Sequence, residues 1–278
     1  MLVDPLRRVG FECLYRGFLP LTYCDDRNWG DALSPVLAGM LSGRRIKMML
    51  WHHQHRYLMI GSILGNASRR AEVWGSGFMW ADEKLAEVPQ AVHAVRGPRS
   101  RAKLLEQGIH CPEVYGDPAL LFPRFFNPPV KKAYAIGIIP HYIDKDHSWV
   151  ERHRNDPQVR IIDVKCGIQQ FVEAVKSCEL ILSSSLHGLI CADSYGVPNL
   201  WIELSDKVWG GSFKFLDYFE SVARETTAPI RPDESTSLGM VTQCHRPYEV
   251  KIDLQPLIAA CPFMAADVRR KLLTPTDT

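Results

Sequence analysis

The 278-residue chain has no apolar run near the roughly 20 residues needed to cross a bilayer, which excludes a helical membrane span. It has little net charge. Lys and Arg number 33 against 31 Asp and Glu, for a balance of +2, which argues against a dedicated nucleic-acid binder. The basic clusters Arg44–Arg45, Arg69–Arg70, Arg99–Arg101 and Arg269–Arg270 suit solvated helix ends, anion contacts or a membrane surface. Eight cysteines are present, but no two form a C-x-x-C pair. They are Cys13, Cys24, Cys111, Cys166, Cys178, Cys191, Cys244 and Cys261, and their scatter suits a reducing compartment better than a disulfide framework. Residues 1–20 carry Asp4, Arg7, Arg8, Glu12 and Arg16 without a sustained apolar core, so no secretory leader is expected. A cytoplasmic protein is the expectation, with work at a membrane's inner face left open. No G-x-G-x-x-G or Walker loop occurs, and the hydrolase elbow G-x-S-x-G is absent around Ser183–Ser185.

What is present is an alternation of short apolar runs and helical patterns, which points to parallel α/β architecture. The first half reads as strands at Pro20–Cys24, Tyr57–Ile60, Glu72–Trp74, Val92–Val95 and Glu113–Tyr115, with helices at Ala32–Leu41 and Pro98–Glu106. Pro98 at a helix start and Gly108 after its end follow the usual asymmetry. Phe122–Lys132 breaks the rhythm with Pro123, Pro128, Pro129, Lys131 and Lys132, and reads as a linker. A second series follows: strands Tyr134–Ile139 and Arg160–Val164, then helix Ile168–Ser177. The expected organisation is two Rossmann-like α/β domains, residues 1–130 and 131–278, with a cleft between them suited to a small molecule.

The run Glu179–Glu203 carries the most information. Glu179–Leu182 suits a buried strand, Ser183, Ser184 and Ser185 supply hydroxyls and helix caps, and Leu186–Tyr195 has helical spacing. Gly196 and Pro198 end that helix before a strand at Leu200–Ile202. His187 therefore falls where a strand's C-terminal end meets a helix N-terminus, a place that favours anionic ligands. A structural hydrogen-bonding role is the plainer alternative. Asn28-Trp29-Gly30-Asp31 occupies a similar junction, where Asp31 either caps the helix or meets a ligand. Gly75 and Ser76, within Trp74-Gly75-Ser76-Gly77, form either a plain turn or a close backbone approach. Arg96 precedes a helix and offers a fork for carboxylate or phosphate, or a surface contact. His141 ends the first strand of the second half. Lys214 sits in the Gly210–Phe215 segment, read as a Gly-led loop able to close over an anion. Trp51-His52-His53-Gln54-His55-Arg56 invites a zinc reading, but no nearby Cys or Glu completes a standard ligand pattern, so a solvated loop and no metal site are expected.

As an ordered set, these pieces resemble the polysaccharide pyruvyltransferases. The set runs Asn28-Trp29-Gly30-Asp31, Ile60-Gly61-Ser62-Ile63-Leu64, Trp74-Gly75-Ser76-Gly77, Arg96-Gly97-Pro98 and Gly116-Asp117-Pro118-Ala119. It continues with Pro140-His141-Tyr142, Ser184-Ser185-Leu186-His187-Gly188 and Tyr195-Gly196-Val197-Pro198. Gly211-Ser212-Phe213-Lys214-Phe215-Leu216-Asp217-Tyr218 looks like the branch that makes pyruvate ketals on bacterial exopolysaccharides of the succinoglycan type. The resemblance implies a GT-B-like two-domain fold and no cofactor, with phosphoenolpyruvate as donor co-substrate. It implies a sugar of a lipid-linked oligosaccharide as acceptor, and leaves open peripheral contact with the inner membrane surface and a homo-oligomer. It makes His187 the proton-transfer residue, as acid or base. Ser184, Ser185, Gly188, Arg96, Lys214 and His141 fall on the donor side, and Asn28, Asp31, Gly75 and Ser76 on the acceptor side. Many members carry Arg two residues before the motif His. Here that residue is Ser185, so another cation must grip the donor, with Arg96 and Lys214 as candidates. A nucleotide-sugar glycosyltransferase and a non-catalytic assembly partner are the alternative readings.

Overall fold

Short apolar strands alternating with helices build two parallel sheets, as the sequence pattern predicts. The computed structural model describes residues 17–25, 28–225 and 228–274. Cys13 and residues 1–16, read above for a leader, lie outside them. The first sheet has the order β2-β1-β3-β4-β5, from Phe18–Thr22 (β1), Arg45–Met48 (β2), Arg56–Leu58 (β3), Ala71–Trp74 (β4) and Ala91–Ala94 (β5). The second has the order β7-β6-β8-β9, from Tyr134–Ile139 (β6), Val159–Ile161 (β7), Cys178–Ser183 (β8) and Asn199–Trp201 (β9). The register pairs Leu21 with Tyr57 in the first sheet and Leu182 with Leu200 in the second. Every pairing is parallel, so each sheet has one edge at which all its strands end. That edge is where α/β proteins place ligands.

The elements differ from the sequence reading where a pattern was weak. Arg45–Met48 is a strand the reading lacked, because Arg45 and Lys47 alternate with apolar residues on an exposed sheet edge. Glu113–Tyr115 makes only a single bridge, Tyr115 to Val95. The Gly210–Phe215 segment is not all loop: Phe213–Ser221 is a helix that buries Phe215, Tyr218 and Phe219. Their i, i+3, i+4 spacing gives it an apolar face. The segment read as a linker begins inside structure, since Pro118–Arg124 is a 3₁₀ helix with Leu120, Leu121 and Phe122 buried.

One continuous core touches both sheets. Trp29 opens the helix Trp29–Ser42 beside the first sheet, and its ring packs 5.7 Å from Phe171 of the second half and 6.4 Å from Phe122. The chain end returns to the first sheet. Trp74 donates its indole N–H to the Leu257 carbonyl at 2.8 Å, and Phe263 sets its ring edge-on to Tyr57 and Trp74. Burying a side chain such as Phe263 contributes about 1.5–3 kcal/mol. The seven described cysteines are all free thiols.

Candidate active site

The C-terminal ends of β1 and β8 deliver two helix starts to one place. After β1, Asn28 caps the helix Trp29–Ser42 by accepting the Asp31 N–H at 3.2 Å. The Asn28 side-chain amide also donates to the Asp31 carboxylate. After β8, Ser185 precedes the helix Leu186–Ser194, on whose first turn His187 stands. His187 Nδ1 lies 2.8 Å from Asn28 Oδ1, joining residues 159 positions apart. Gly30 makes this approach possible: a Cβ there would lie 2.3 Å from the His187 ring. The same junction is tied by the Trp29 N–H, which donates to the Val164 carbonyl at 2.8 Å.

This geometry fixes the His187 tautomer. Asn28 Oδ1 accepts from the Asp31 backbone while Asn28 Nδ2 donates to Asp31, so Oδ1 is an acceptor towards His187. Nδ1 must therefore carry the proton, which leaves the Nε2 lone pair available. Burial, then the charges of Lys214, Arg96 and His141, push the imidazole pKa down to about 3. The ring is neutral at neutral pH and is a base rather than an acid at rest.

The donors beside it are unevenly engaged. The Gly188 N–H, expected to face an anion, donates to the Ser185 carbonyl at 3.1 Å. A Cβ on Gly188 would lie 2.4 Å from Ser183 Oγ, so glycine is required there for packing. The Leu186 and His187 amides have no acceptor among the described residues, as expected for a helix start. Ser183 Oγ braces the turn by accepting the Ser185 N–H at 3.0 Å, and Ser184 Oγ accepts the His141 N–H at 2.8 Å. Ser185 is a buried residue, and its hydroxyl has no partner among the described residues. His141 packs its ring on Tyr142 and contributes to the field at His187.

The two candidate cations differ. Arg96 is fully buried and its guanidinium is saturated. It donates to Asp217 at 3.0 Å, to Ser62 Oγ at 2.6 Å and to the Phe78 carbonyl at 2.8 Å. Asp217 is completed by the Ser100 N–H and hydroxyl at 2.8 and 2.7 Å. Gly97 lets the two segments meet, because a Cβ there would sit 1.8 Å from the Asp217 carbonyl oxygen. Lys214 lies in the first turn of its helix and, among the described residues, donates only to the Trp209 carbonyl, at 2.6 Å. Burial and Arg96 lower its pKa to about 8, against the opposing pull of Asp31. The fields linking Lys214 to His187 and Asp31 place it at this junction.

The remaining sequence candidates stand back from the opening. Ser76 is fully buried and donates to the Gly61 carbonyl at 2.9 Å. Gly75 has φ +91° and is roofed by Pro118, which a Cβ would meet at 2.4 Å. Ser76 thereby holds Gly61, where a Cβ would lie 3.5 Å from the Asp31 carboxylate. No group of three or more His, Cys, Asp or Glu among the described residues is arranged to hold a metal ion. His55 and His93 instead share the Glu72 carboxylate at 2.8 and 2.7 Å.

Sequence comparison adds an independent finding. Residues 50–206 match the family model described as polysaccharide pyruvyl transferase. The chain belongs to that family. It is 27% identical over 206 residues to the uncharacterized protein L143 of Acanthamoeba polyphaga mimivirus, covering 70% of this chain and 71% of the viral one. It is also 27% identical over 187 residues to the succinoglycan biosynthesis protein ExoV of Rhizobium meliloti, covering 64% of this chain and 56% of that one. No solved structure matches the chain. No helix among the described residues is long and apolar enough to cross a membrane.

Two functional features escaped the sequence reading. The hydrogen bond between Asn28 and His187 and the pairing of Asp217 with Arg96 have no local pattern that reports them. The only sequence hints were Gly30 in the first turn of a helix and Gly97 before Pro98, both places where a side chain would collide with a distant segment.

Proposed function

We propose that the protein transfers pyruvate from phosphoenolpyruvate to a sugar of an exopolysaccharide repeat unit carried on a lipid, closing a pyruvate ketal. The observation that carries this reading is the Asn28–His187 hydrogen bond of 2.8 Å, which presents a neutral Nε2 base beside Lys214 and two open helix amides. A carboxylate-phosphate donor suits that surrounding. Helix-start amides and an ammonium bind anions, and the Ser185 hydroxyl adds a further donor.

The chemistry then follows from the proton inventory. A sugar hydroxyl attacks C2 of the donor and His187 Nε2 takes its proton. C3 must gain one proton, and the imidazolium so formed supplies it. Phosphate departs from C2, and a second hydroxyl of the same sugar closes the ring, its proton leaving with phosphate. Two C–O bonds, one C–H bond and one O–H bond on phosphate form, while the C2–C3 π bond, the C2–O bond to phosphate and two sugar O–H bonds break, and no oxidant or reductant enters. A free imidazole with pKa about 3 is a weak base. An anionic donor offsets the positive field of Lys214 and Arg96, so donor binding strengthens the base before acceptor attack.

The test is incubation of the protein with carbon-labelled phosphoenolpyruvate and a lipid extract carrying oligosaccharide. The expected result is acid-labile label on the lipid-linked sugar with one phosphate released per label. Label entering only from a nucleotide sugar, with no phosphate released from phosphoenolpyruvate, contradicts the reading.

A further inference from the structure

A cavity of about 190 Å³ adjoins Ser184, three residues before His187. Its walls come from the C-terminal ends of β8 and β9, from Gly211 and Ser212, and from the first turn of the helix Phe213–Ser221. The apolar side is formed by Trp201 and Phe215, whose rings are stacked 4.6 Å apart at 18°. The polar side carries Glu203, Ser205, Asp206 and Ser212. Arg231, the cation of the lining, is held by Glu203 at 2.7 Å, while Asp206 has no ion-pair partner among the described residues. The pocket therefore carries an excess of negative charge. The neighbouring ground at His187 has the opposite sign, with Lys214, Arg96 and His141 all disfavouring imidazolium.

These two adjoining regions select different chemistry. Carboxylates repel an anionic donor, but they accept hydrogen bonds from vicinal hydroxyls, and the Ser212 hydroxyl adds to that set, whereas the Ser205 hydroxyl is held by Asp144. The aromatic carbons of Trp201 and Phe215 give that side an apolar surface against which the carbon framework of a sugar ring can pack. The volume equals about six waters, enough for a single ring. The loop above is closed by Gly210, where a Cβ would lie 2.7 Å from Met79 Sδ of the first half. Trp80 and Trp209 flank that contact, 45% and 66% exposed, and offer aromatic faces to further sugars.

We propose that this pocket is a neutral pyranose subsite that seats a ring of the acceptor, apart from the anion site at the His187 helix start. The inference rests on the pyruvyl-transfer reading for its link to catalysis, while the binding itself stands alone. It moves the acceptor's anchor from the Gly75–Ser76 side to the second sheet.

The experiment measures binding of methyl glucopyranoside, methyl galactopyranoside and methyl mannopyranoside to the full chain by saturation-transfer NMR. Phosphoenolpyruvate binding is measured in parallel by calorimetry. At least one pyranoside is expected to bind without donor, and saturating phosphoenolpyruvate should not displace it. The Glu203→Gln/Asp206→Asn variant should weaken pyranoside binding by about tenfold or more, the scale of a lost charge-assisted hydrogen bond. Its phosphoenolpyruvate affinity should hold or improve. Lys214→Met should do the reverse, weakening phosphoenolpyruvate and sparing the pyranoside. No signal from any of the three pyranosides overturns the proposal, as does displacement of the sugar by phosphoenolpyruvate or loss of donor rather than sugar affinity in the double variant. If the pyranoside binds as expected but labelled phosphoenolpyruvate gives no transfer, the subsite stands and the pyruvyl-transfer reading falls.

Discussion

Arg96 and Lys214 are both buried, both act on His187, and both were candidates to replace the Arg that Ser185 displaces. The protein holds them differently. Arg96 faces a carboxylate, a hydroxyl and a carbonyl, so its charge and donors are matched from within. Among the described residues Lys214 donates to one carbonyl, and burial and the charge of Arg96 lower its pKa to about 8 against the pull of Asp31. A buried charge with complete partners braces a structure, whereas a buried charge with incomplete partners is prepared for a ligand. On this comparison Arg96 clamps the helix Phe213–Ser221 to the first sheet and so positions Lys214, the cation that meets the donor under the proposed function.

The largest expected effect comes from breaking the saturated pair. Asp217→Ala leaves the Arg96 charge buried without a partner and should cost about 3–5 kcal/mol in urea unfolding. A loss below about 1 kcal/mol would show that the pair does not brace the fold. Asp117 sharpens the same contrast from the other sign. It is a fully buried carboxylate whose pKa burial raises from 3.8 to about 6, with one oxygen lacking a partner. The native state then holds that proton more tightly than the unfolded chain. Its ionisation therefore removes stability as pH rises from about 4 to about 6, and the deficit persists above. Asp117→Asn retains an oxygen for the Ala119 N–H and should raise stability at pH 7 by up to ~3 kcal/mol, with no gain below pH 4. Equal melting temperatures for the two proteins at pH 7 would count against this. Next in size, His187→Ala should lower kcat by at least ~10²-fold, about 2.7 kcal/mol. Its melting temperature should change little, because among the described residues its side chain makes a single hydrogen bond, to Asn28. Near-normal turnover in the folded variant would remove His187 from the chemistry.

Much of the fold was legible because its signals are local. The strand Tyr134–Ile139 and the helix Pro98–Glu106 follow from an apolar run and a Pro start, and both occur with the expected bounds. The helix Leu186–Ser194 was marked by Ser185 before it and Gly196 after it. Arg45–Met48 was hidden because an edge strand with Arg and Lys outward lacks an apolar run. The site was legible as a list of residues but not as an arrangement. His187 and its helix start could be read from spacing, whereas its tautomer depends on Asn28, 159 residues away. The saturation of Arg96 likewise depends on Asp217, and no local pattern reports a partner 121 residues distant. Gly30 and Gly97 left traces of both contacts, since each occupies a place where a Cβ would strike the distant partner.

Donor KM as a function of pH, for wild type and Lys214→Met, tests the central claim most directly. With its pKa near 8, Lys214 in the free protein is charged at pH 7 and loses its charge as pH rises through that value. The wild-type KM for phosphoenolpyruvate should therefore be lowest below pH 8 and climb above it. Lys214→Met should show a KM raised by about tenfold or more at pH 7 and no further climb assignable to this group, as expected when a ground-state contact is removed. An unchanged KM at pH 7 in Lys214→Met would contradict the account and return the donor's charge to some other group.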